Sequence, residues 1–353
     1  MNAGPLRELC RAANCRADYW IANHYHLKAN LLQKMTRFTK LKKLINDDPK
    51  RNTLKLIKWL QKKKLLKTKV KCRICHHGMK LKKRANSGDQ YAWTCRHVGT
   101  EKQISVRHKS IFSRSKISFS NWMQFMYRFC QGLRLRQIDM MDDSIAASSA
   151  TLSKMAKKLR EVCVTAVERM RRRTGQKIGG RREFVVIDES HFRHKRKYGR
   201  GRMVGGWKRK KWVFGMLGVK HHQGRTSRKP VLRLVERRSR GHLVPLIAHH
   251  VRRGSSIISD EWRAYRILPA LGYNHHTVNH SRWYVDPHTG AHTQHIERAW
   301  RSYKEQIWRL RGNRTDSLLS DHLAIIEWNE WLAKKHHNGA FGRLIHDISR
   351  KYK

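Results

Sequence analysis

Apolar residues first recur at helical spacing: Leu31, Leu32, Met35, Phe38, Leu41 and Ile45, then Leu54, Ile57, Trp59, Leu60 and Leu65. Asp48-Pro49 separates the two runs. From Lys71 to Phe112 the pattern changes to short polar and aromatic runs with Gly78, Gly88 and Gly99, the texture of a small β-rich module. Ser120–Gly132 returns to a helical period with Trp122, Phe125, Met126 and Phe129. Leu133–Ile138 and Ala150–Val167 read as two further helices; Ser148 or Ser149 is placed to cap the second, and Leu152, Met155, Leu159, Val162 and Val167 form its buried stripe. That spacing suits a helix-turn-helix with Lys154, Lys157, Lys158 and Arg160 facing DNA, or equally a helical linker.

Beyond a Gly- and Arg-rich linker at Thr174–Arg182, strands and helices alternate. Short β-type runs fall at Phe184–Ile187, Trp212–Val219, Val231–Val235, Ile257–Ser259 and His276–Val278. Helical patterns fall at His242–Val251, Trp262–Leu271 and Thr293–Leu310, the last with Ile296, Trp300, Tyr303 and Ile307 on one face. Three strands, helix, strand, helix, strand, helix is the order of an α/β sheet covered on both faces. Leu319, Leu323, Ile326, Trp331 and Leu332 form the stripe of a terminal helix. No run of about 18 apolar residues predicts a membrane span, and the first thirty residues lack the apolar region of a secretory signal.

Charge narrows the picture. Lys and Arg number 79 against 25 Asp and Glu, a formal charge of +54. Self-repulsion on that scale calls for a polyanion, and nucleic acid is the expected partner rather than membrane. Thirteen Lys/Arg and no acid lie between Lys55 and Arg84, a run suited to phosphates or to nuclear import. Seven Cys is an odd number in a long chain, which favours free thiols or a metal site over a disulfide framework. Cys72-Arg73-Ile74-Cys75 has the spacing of half a tetrahedral thiolate site. Cys95 follows as a third ligand; Val98 stands where a fourth Cys is expected, so His97 is the candidate fourth ligand, with His76 or His77 as substitutes. Cys10, Cys15, His24 and His26 are read as ordinary residues.

In so basic a chain the acids carry the information. Between Glu189 and Glu297 only Glu236, Asp260, Glu261 and Asp286 occur. Asp188 and Asp260 each close a predicted strand, and carboxylates at neighbouring strand ends converge where α/β sites form. Glu297 sits beside Ile296 and a turn before Trp300, able to point at those ends. Three such carboxylates suit two Mg²⁺ ions and an in-line phosphoryl displacement. Glu189 and Glu261 are secondary candidates, and Asp286 before Pro287 reads as a turn residue.

Several motifs in order now resemble a known family: Val185-Val186-Ile187-Asp188-Glu189-Ser190, Trp212-Val213-Phe214-Gly215, Gly254 through Tyr265, Val278-Asn279-His280-Ser281, and Gly290 through Trp300. The segment from about Glu183 to Arg343 resembles the catalytic domain of insertion-sequence-type DDE transposases, the group with the ISXO2-like transposase domain and the eukaryotic Merlin superfamily. The resemblance implies an RNase H-like core, a mixed five-stranded sheet with helices on both faces. It implies Asp188, Asp260 and Glu297 as the catalytic and metal-binding triad for two Mg²⁺ or Mn²⁺ ions. It also implies an upstream zinc-ribbon-like module, with Cys72, Cys75, Cys95 and His97 as zinc ligands. The expected organisation is a basic helical region at 1–69, the ribbon-like module at 70–112, a helical, helix-turn-helix-like segment at 113–175 and the core at 183–343.

The stretch from Arg193 to Lys211 holds ten Lys/Arg, no acid and four Gly between the first two strands. A basic hairpin beside Asp188 suits a DNA backbone, through Arg193, Lys195, Arg196, Lys197, Arg200, Lys208, Arg209 and Lys210. Trp207 and Tyr198 either stack on a base or pack locally. His292, Thr293 and His295 precede Glu297 and are candidates to contact the scissile phosphate or a flipped nucleotide, with a helix cap as the alternative for Thr293; Arg301 and Lys304 follow it as further DNA contacts. The expected activity is cut-and-paste transposition: cleavage at the terminal inverted repeats, then attack of the freed 3′-hydroxyl on target double-stranded DNA. A homodimer or larger synaptic assembly follows from the need to hold two ends together. The expected location is the nucleus in a eukaryote and the nucleoid in a bacterium. The alternatives are a domesticated DNA-binding protein without transposition, and a structural basic protein of ribosomal or chromatin type.

Overall fold

The structure is a computed structural model that describes residues 49–97, 101–132, 145–146, 148–192, 211–223, 225–278, 292–309 and 315–353. The first helical run, the helix expected at Leu133–Ile138, Cys10, Cys15, His24, His26 and most of the basic hairpin lie outside these residues. The described chain falls into two compact units: the first takes the residues up to Lys62, Leu66–His108 and Ser118–Met123, and the second takes Lys63–Leu65, Lys109–Ile117 and Gln124–Lys353.

In the first unit, α1 (Pro49–Lys62) precedes an antiparallel three-stranded sheet, β1 (Lys80–Lys83), β2 (Tyr91–Cys95) and β3 (Lys102–Ser105), in that order. Proline is tolerated at the first turn of α1, where its missing N–H would have no partner. The small sheet has too little apolar surface for a large core. Cys72, Met79, Trp93 and Cys95 form its buried cluster, with Val70, Leu81 and Ile104 against it. Arg107 pairs with Asp89, both nearly buried, and its guanidinium lies 4.5 Å from the Phe119 ring.

Helix α2 (Phe119–Cys130) is followed by α3 (Ser149–Thr174). Ser148 caps α3 by accepting from the Thr151 N–H, and Gly175 ends it in the left-handed conformation at φ 61°. The helix runs seven residues beyond the expected Val167, with Arg171, Arg172 and Arg173 in its last turn, where cations are favoured. Its predicted stripe is buried, and it packs on the C-terminal helices. Two of its basic residues therefore turn inward, against expectation: Lys158 donates to the Ile111 and Ser113 carbonyls at 2.8 and 2.7 Å, and Arg160 lies 3.7 Å from Asp321. Lys154 and Lys157 remain exposed.

The second sheet contains β4 (Phe184–Ser190), β5 (Trp212–His222), β6 (Arg225–Val235), β7 (Ser256–Asp260) and β8 (Asn274–Val278), with α4 (Arg240–His250) between β6 and β7. Its spatial order is β6-β5-β4-β7-β8; the first three are antiparallel and β7 and β8 run parallel to β4. Helices α5 (Gln294–Arg309), α6 (Asp316–Trp328) and α7 (Gly339–Lys351) complete the chain. Alternation along the strands divides the core in two. Val185, Ile187, Phe214, Met216 and Ile257 pack with Leu243 and Ile247 of α4. Val186, Val213, Leu217 and Leu232 pack with Ile296, Trp300 and Tyr303 of α5 and Leu319 and Leu323 of α6.

Three sequence expectations need correction. The helix read at Trp262–Leu271 is two 3-10 turns, Arg263–Tyr265 and Pro269–Leu271, because Pro269 has no N–H for a continuous ladder. The third strand begins at Arg225, since it pairs with β5 along its full length; Pro230 is accommodated on this edge strand. The terminal stripe is not one helix: α6 ends at Trp328, a π turn covers Asn329–Ala333, and α7 follows. The π turn lets Trp331 donate to the Pro230 carbonyl at 2.6 Å.

One buried carboxylate ties these layers together. Glu327 of α6 is fully buried and accepts from Arg171 of α3, Gln176, and Arg233 and the Leu232 N–H of β6, at 2.6 to 2.8 Å. His250 is held well below its usual range, at about 4, chiefly by burial and then by Arg233, so its neutral Nε2 accepts from that guanidinium. Removing one partner of such a network leaves charges buried and uncompensated. Glu327→Ala is therefore expected to destabilise the protein by about 3–5 kcal/mol in urea unfolding, against less than about 1 kcal/mol for an exposed pair such as Lys334–Glu330.

Candidate functional site

Strand pairing sets Val186 beside Ile258, and the same register carried two residues further brings Asp188 level with Asp260. Both side chains fall on the α5 face of the sheet, because each lies two residues beyond a strand position on that face. Trp300 of α5 donates from Nε1 to Asp188 Oδ2 at 2.8 Å, while the Glu189 N–H donates to Oδ1 at 2.7 Å. The Trp262 N–H donates to Asp260 Oδ1 at 3.1 Å. Glu297 is exposed on α5 and accepts from the Thr293 hydroxyl at 2.7 Å. Burial pushes Asp188 up to about 6; its two hydrogen bonds pull it down, and the charges of Asp260 and Glu297 raise it again. Asp260 and Glu297 thus lie near enough to act on the charge of Asp188, while the three carboxylates are not gathered within 4.8 Å of one another.

Trp300 can lie there only because of what faces it. Gly215 is the β5 partner of Asp188, and a Cβ placed on it would stand 2.4 Å from the Trp300 ring. The sequence reading treated Trp300 as a buried helix position and missed it as a donor to Asp188. The available signal was a glycine inside a buried strand, which marks a close approach.

Glu189 points to the opposite face, as its place next to Asp188 in a strand requires. It pairs with Arg238 at 3.1 Å and accepts from the Tyr265 hydroxyl, and burial raises its carboxyl to about 7. The Arg238 guanidinium lies 4.8 Å from the Trp212 ring and 4.6 Å from the Trp262 ring. Glu189 is thus a buried partner on the α4 side, while Glu261 is exposed. His292 and His295 stand elsewhere: His295 lies 5.8 Å from the Phe184 ring and 5.4 Å from His221, at the opposite end of β4 from Asp188. Arg301 is exposed on α5, and Lys304 lies 5.7 Å over the Phe192 ring. Arg193, Lys195, Arg196, Lys197, Arg200, Lys208, Arg209 and Lys210, with Tyr198, Trp207 and Asp286, lie outside the described residues.

Among the described residues, one group of metal-ligand atoms lies wholly within 4.8 Å: the sulfurs of Cys72, Cys75 and Cys95. Cys75 Sγ is 3.4 Å from Cys95 Sγ. A tight turn brings the first two together, with the Cys72 N–H donating to the His77 carbonyl at 2.9 Å and His76 at φ 57°. Backbone N–H groups of Cys75 and Ile74 hold the Cys72 thiol down to about 7, favouring thiolate. His97 stacks on His77 at 4.4 Å and is not in the group.

A steric test of the Trp300 seat follows. Gly215→Ala is expected to cost about 1–3 kcal/mol in chemical unfolding, the usual cost of overpacking. The same change in a Trp300→Leu background is expected to cost far less, because the ring it strikes is gone; equal costs in both backgrounds would refute the arrangement.

No curated protein matches the chain. Residues 175–311, which run from the end of α3 past α5 and include all three carboxylates, match the model of the ISXO2-like transposase domain. Over this segment, which is less than half of its length, the chain is similar to ISXO2-like transposases.

Proposed function

We propose that the protein is a DDE transposase with an RNase H-like core, in which Asp188, Asp260 and Glu297 form the reacting centre. The level placement of Asp188 and Asp260 on adjacent parallel strands, with Glu297 near enough to raise the Asp188 carboxyl, carries this reading. Three antiparallel strands followed by two parallel ones, flanked by helices on both faces, support the fold assignment.

The donor set fits hard divalent cations. All three ligands offer oxygen, and carboxylates that repel one another are relieved by positive charge between them. Asp188, Asp260 and Glu297 would hold two Mg²⁺ or Mn²⁺ ions, which when bound polarise phosphate oxygens and lower the pKa of attacking water. The chain's own part is positioning. Trp300 and the Glu189 N–H fix both oxygens of Asp188, the Trp262 N–H orients Asp260, and Thr293 holds Glu297 one turn along its helix. In the first step a water oxygen bonds to phosphorus as the P–O3′ bond breaks at an element end. In the second, the freed 3′-hydroxyl attacks a phosphorus of double-stranded target DNA and displaces its O3′.

The purified chain is expected to nick supercoiled plasmid in Mg²⁺ or Mn²⁺. Asp188→Asn, Asp260→Asn and Glu297→Gln should each slow nicking by at least about a hundredfold while leaving duplex binding intact. A wild-type rate in any of the three overturns the assignment, and a wild-type chain that binds DNA without nicking in either metal points to a domesticated binding protein.

Cys72, Cys75 and Cys95 fit zinc by donor chemistry, with three sulfurs close together and one already inclined to thiolate. His97, two residues beyond Cys95 in the chain, is the fourth ligand in this reading. Metal analysis should find about one zinc per chain, lost in Cys72→Ser. Chelation should lower the melting temperature of the wild type and leave that of Cys72→Ser unchanged.

A further inference from the structure

The turn from β6 into α4 and the 3-10 turn after Trp262 enclose a cavity of about 650 Å³. Its lining includes five arginines and no acid: Arg237, Arg238, Arg240, Arg263 and Arg266, with Trp262 and Ser239. Arg238 is already committed, to Glu189 and to the faces of Trp212 and Trp262. The other four are exposed and, among the described residues, have no carboxylate within 4.0 Å. Of the nearest acids in sequence, Glu236 faces Lys211 at 3.7 Å, and neither it nor Glu261 lines the cavity. Four like charges gathered around one concavity repel each other unless an anion enters. The Ser239 hydroxyl is engaged with His242 Nδ1 at 2.8 Å.

We propose that this cavity binds successive backbone phosphates of double-stranded DNA. A single inorganic anion fills only a small part of such a volume and meets only one or two guanidinium groups. A polyanion with regularly spaced phosphates meets all four. Trp262 is engaged by the chain itself, with Arg238 at 4.6 Å and Arg263 at 6.0 Å from its ring and its Nε1 donating to the Arg238 carbonyl at 2.8 Å, so the contact is with phosphates and is blind to sequence. Trp262 also donates its backbone N–H to Asp260, so the cavity wall adjoins the carboxylates. Arg301 lies on α5, on the other face of the sheet. The arginine cavity therefore gives the strand ends a second phosphate contact, on the α4 side. This inference rests on the DNA-handling reading above.

The test measures duplex binding by the full chain as a function of salt, without added divalent metal and in an Asp188→Asn background, so that nicking does not enter. Each phosphate neutralised contributes about 0.9 to the slope of log affinity against log salt. Arg237→Ala, Arg240→Ala and Arg266→Ala combined should lower that slope by about 2 to 3 and weaken unrelated duplexes equally. The corresponding lysine triple variant should restore the slope, since lysine also neutralises phosphate. An unchanged slope overturns the proposal, as does a loss confined to one DNA sequence. Stabilisation of the wild type but not the alanine variant by millimolar inorganic phosphate also overturns it, in favour of a small-anion site. If wild-type protein never nicks DNA yet the slope falls, the transposase mechanism fails and the cavity assignment stands.

Discussion

An indole can reach a carboxylate across a strand only if that strand presents no side chain between them. Gly215 meets that condition opposite Asp188, and Trp300 uses it: the ring lies where a Cβ would be, and its N–H ends on Asp188. The contact fixes more than one side chain. It sets the rotation of α5 about its own axis, which puts Ile296 and Tyr303 into the core and leaves Glu297 on the margin facing the same strand ends. Position of the third carboxylate is thus a consequence of how the helix is seated, with Thr293 adding only the local orientation.

The electrostatics follow from burial in a chain with few acids. Asp188 is desolvated and has two carboxylates for neighbours, so its charge is disfavoured in the folded protein without a cation. Elsewhere, buried acids are neutralised by arginine: Glu327 by Arg171 and Arg233, Glu189 by Arg238, Asp347 by Arg343. Asp188 has an indole and a backbone N–H instead, and neither carries a full charge. Among the described residues, a largely desolvated acid with no Lys or Arg in ion-pair reach is the exception, and Asp260 and Glu297 act on its charge.

Much of this was legible beforehand. Strand positions, the two-faced sheet and the convergence of Asp188 with Asp260 follow from apolar alternation and from acids at strand ends. The stripe of α3 and its Ser148 cap were equally readable. What escaped the sequence depends on tertiary packing. Lys158 and Arg160 look like surface cations on the helical wheel, but the partners that turn them inward are Ile111, Ser113 and Asp321. His292 and His295 are near Glu297 in sequence, yet α5 crosses the sheet and carries them toward Phe184. The cavity arginines come from two segments, Arg237 to Arg240 and Arg263 to Arg266, which no local pattern joins.

The pair Asp188-Glu189 shows why the two faces of the sheet are not independent. Successive strand residues point to opposite sides, so the dipeptide sends one carboxylate to each helical layer. Asp188 meets Trp300 of α5, and Glu189 meets Tyr265 and Arg238 beside α4. Arg238 in turn stacks on Trp262, whose backbone N–H holds Asp260. A chain of direct contacts therefore runs from Asp188 through Glu189, Arg238 and Trp262 to Asp260 and returns to the same sheet face it left. The spacing of the two aspartates depends on side chains that never point into the carboxylate cluster, which is why a substitution on the α4 side can disturb chemistry on the α5 side.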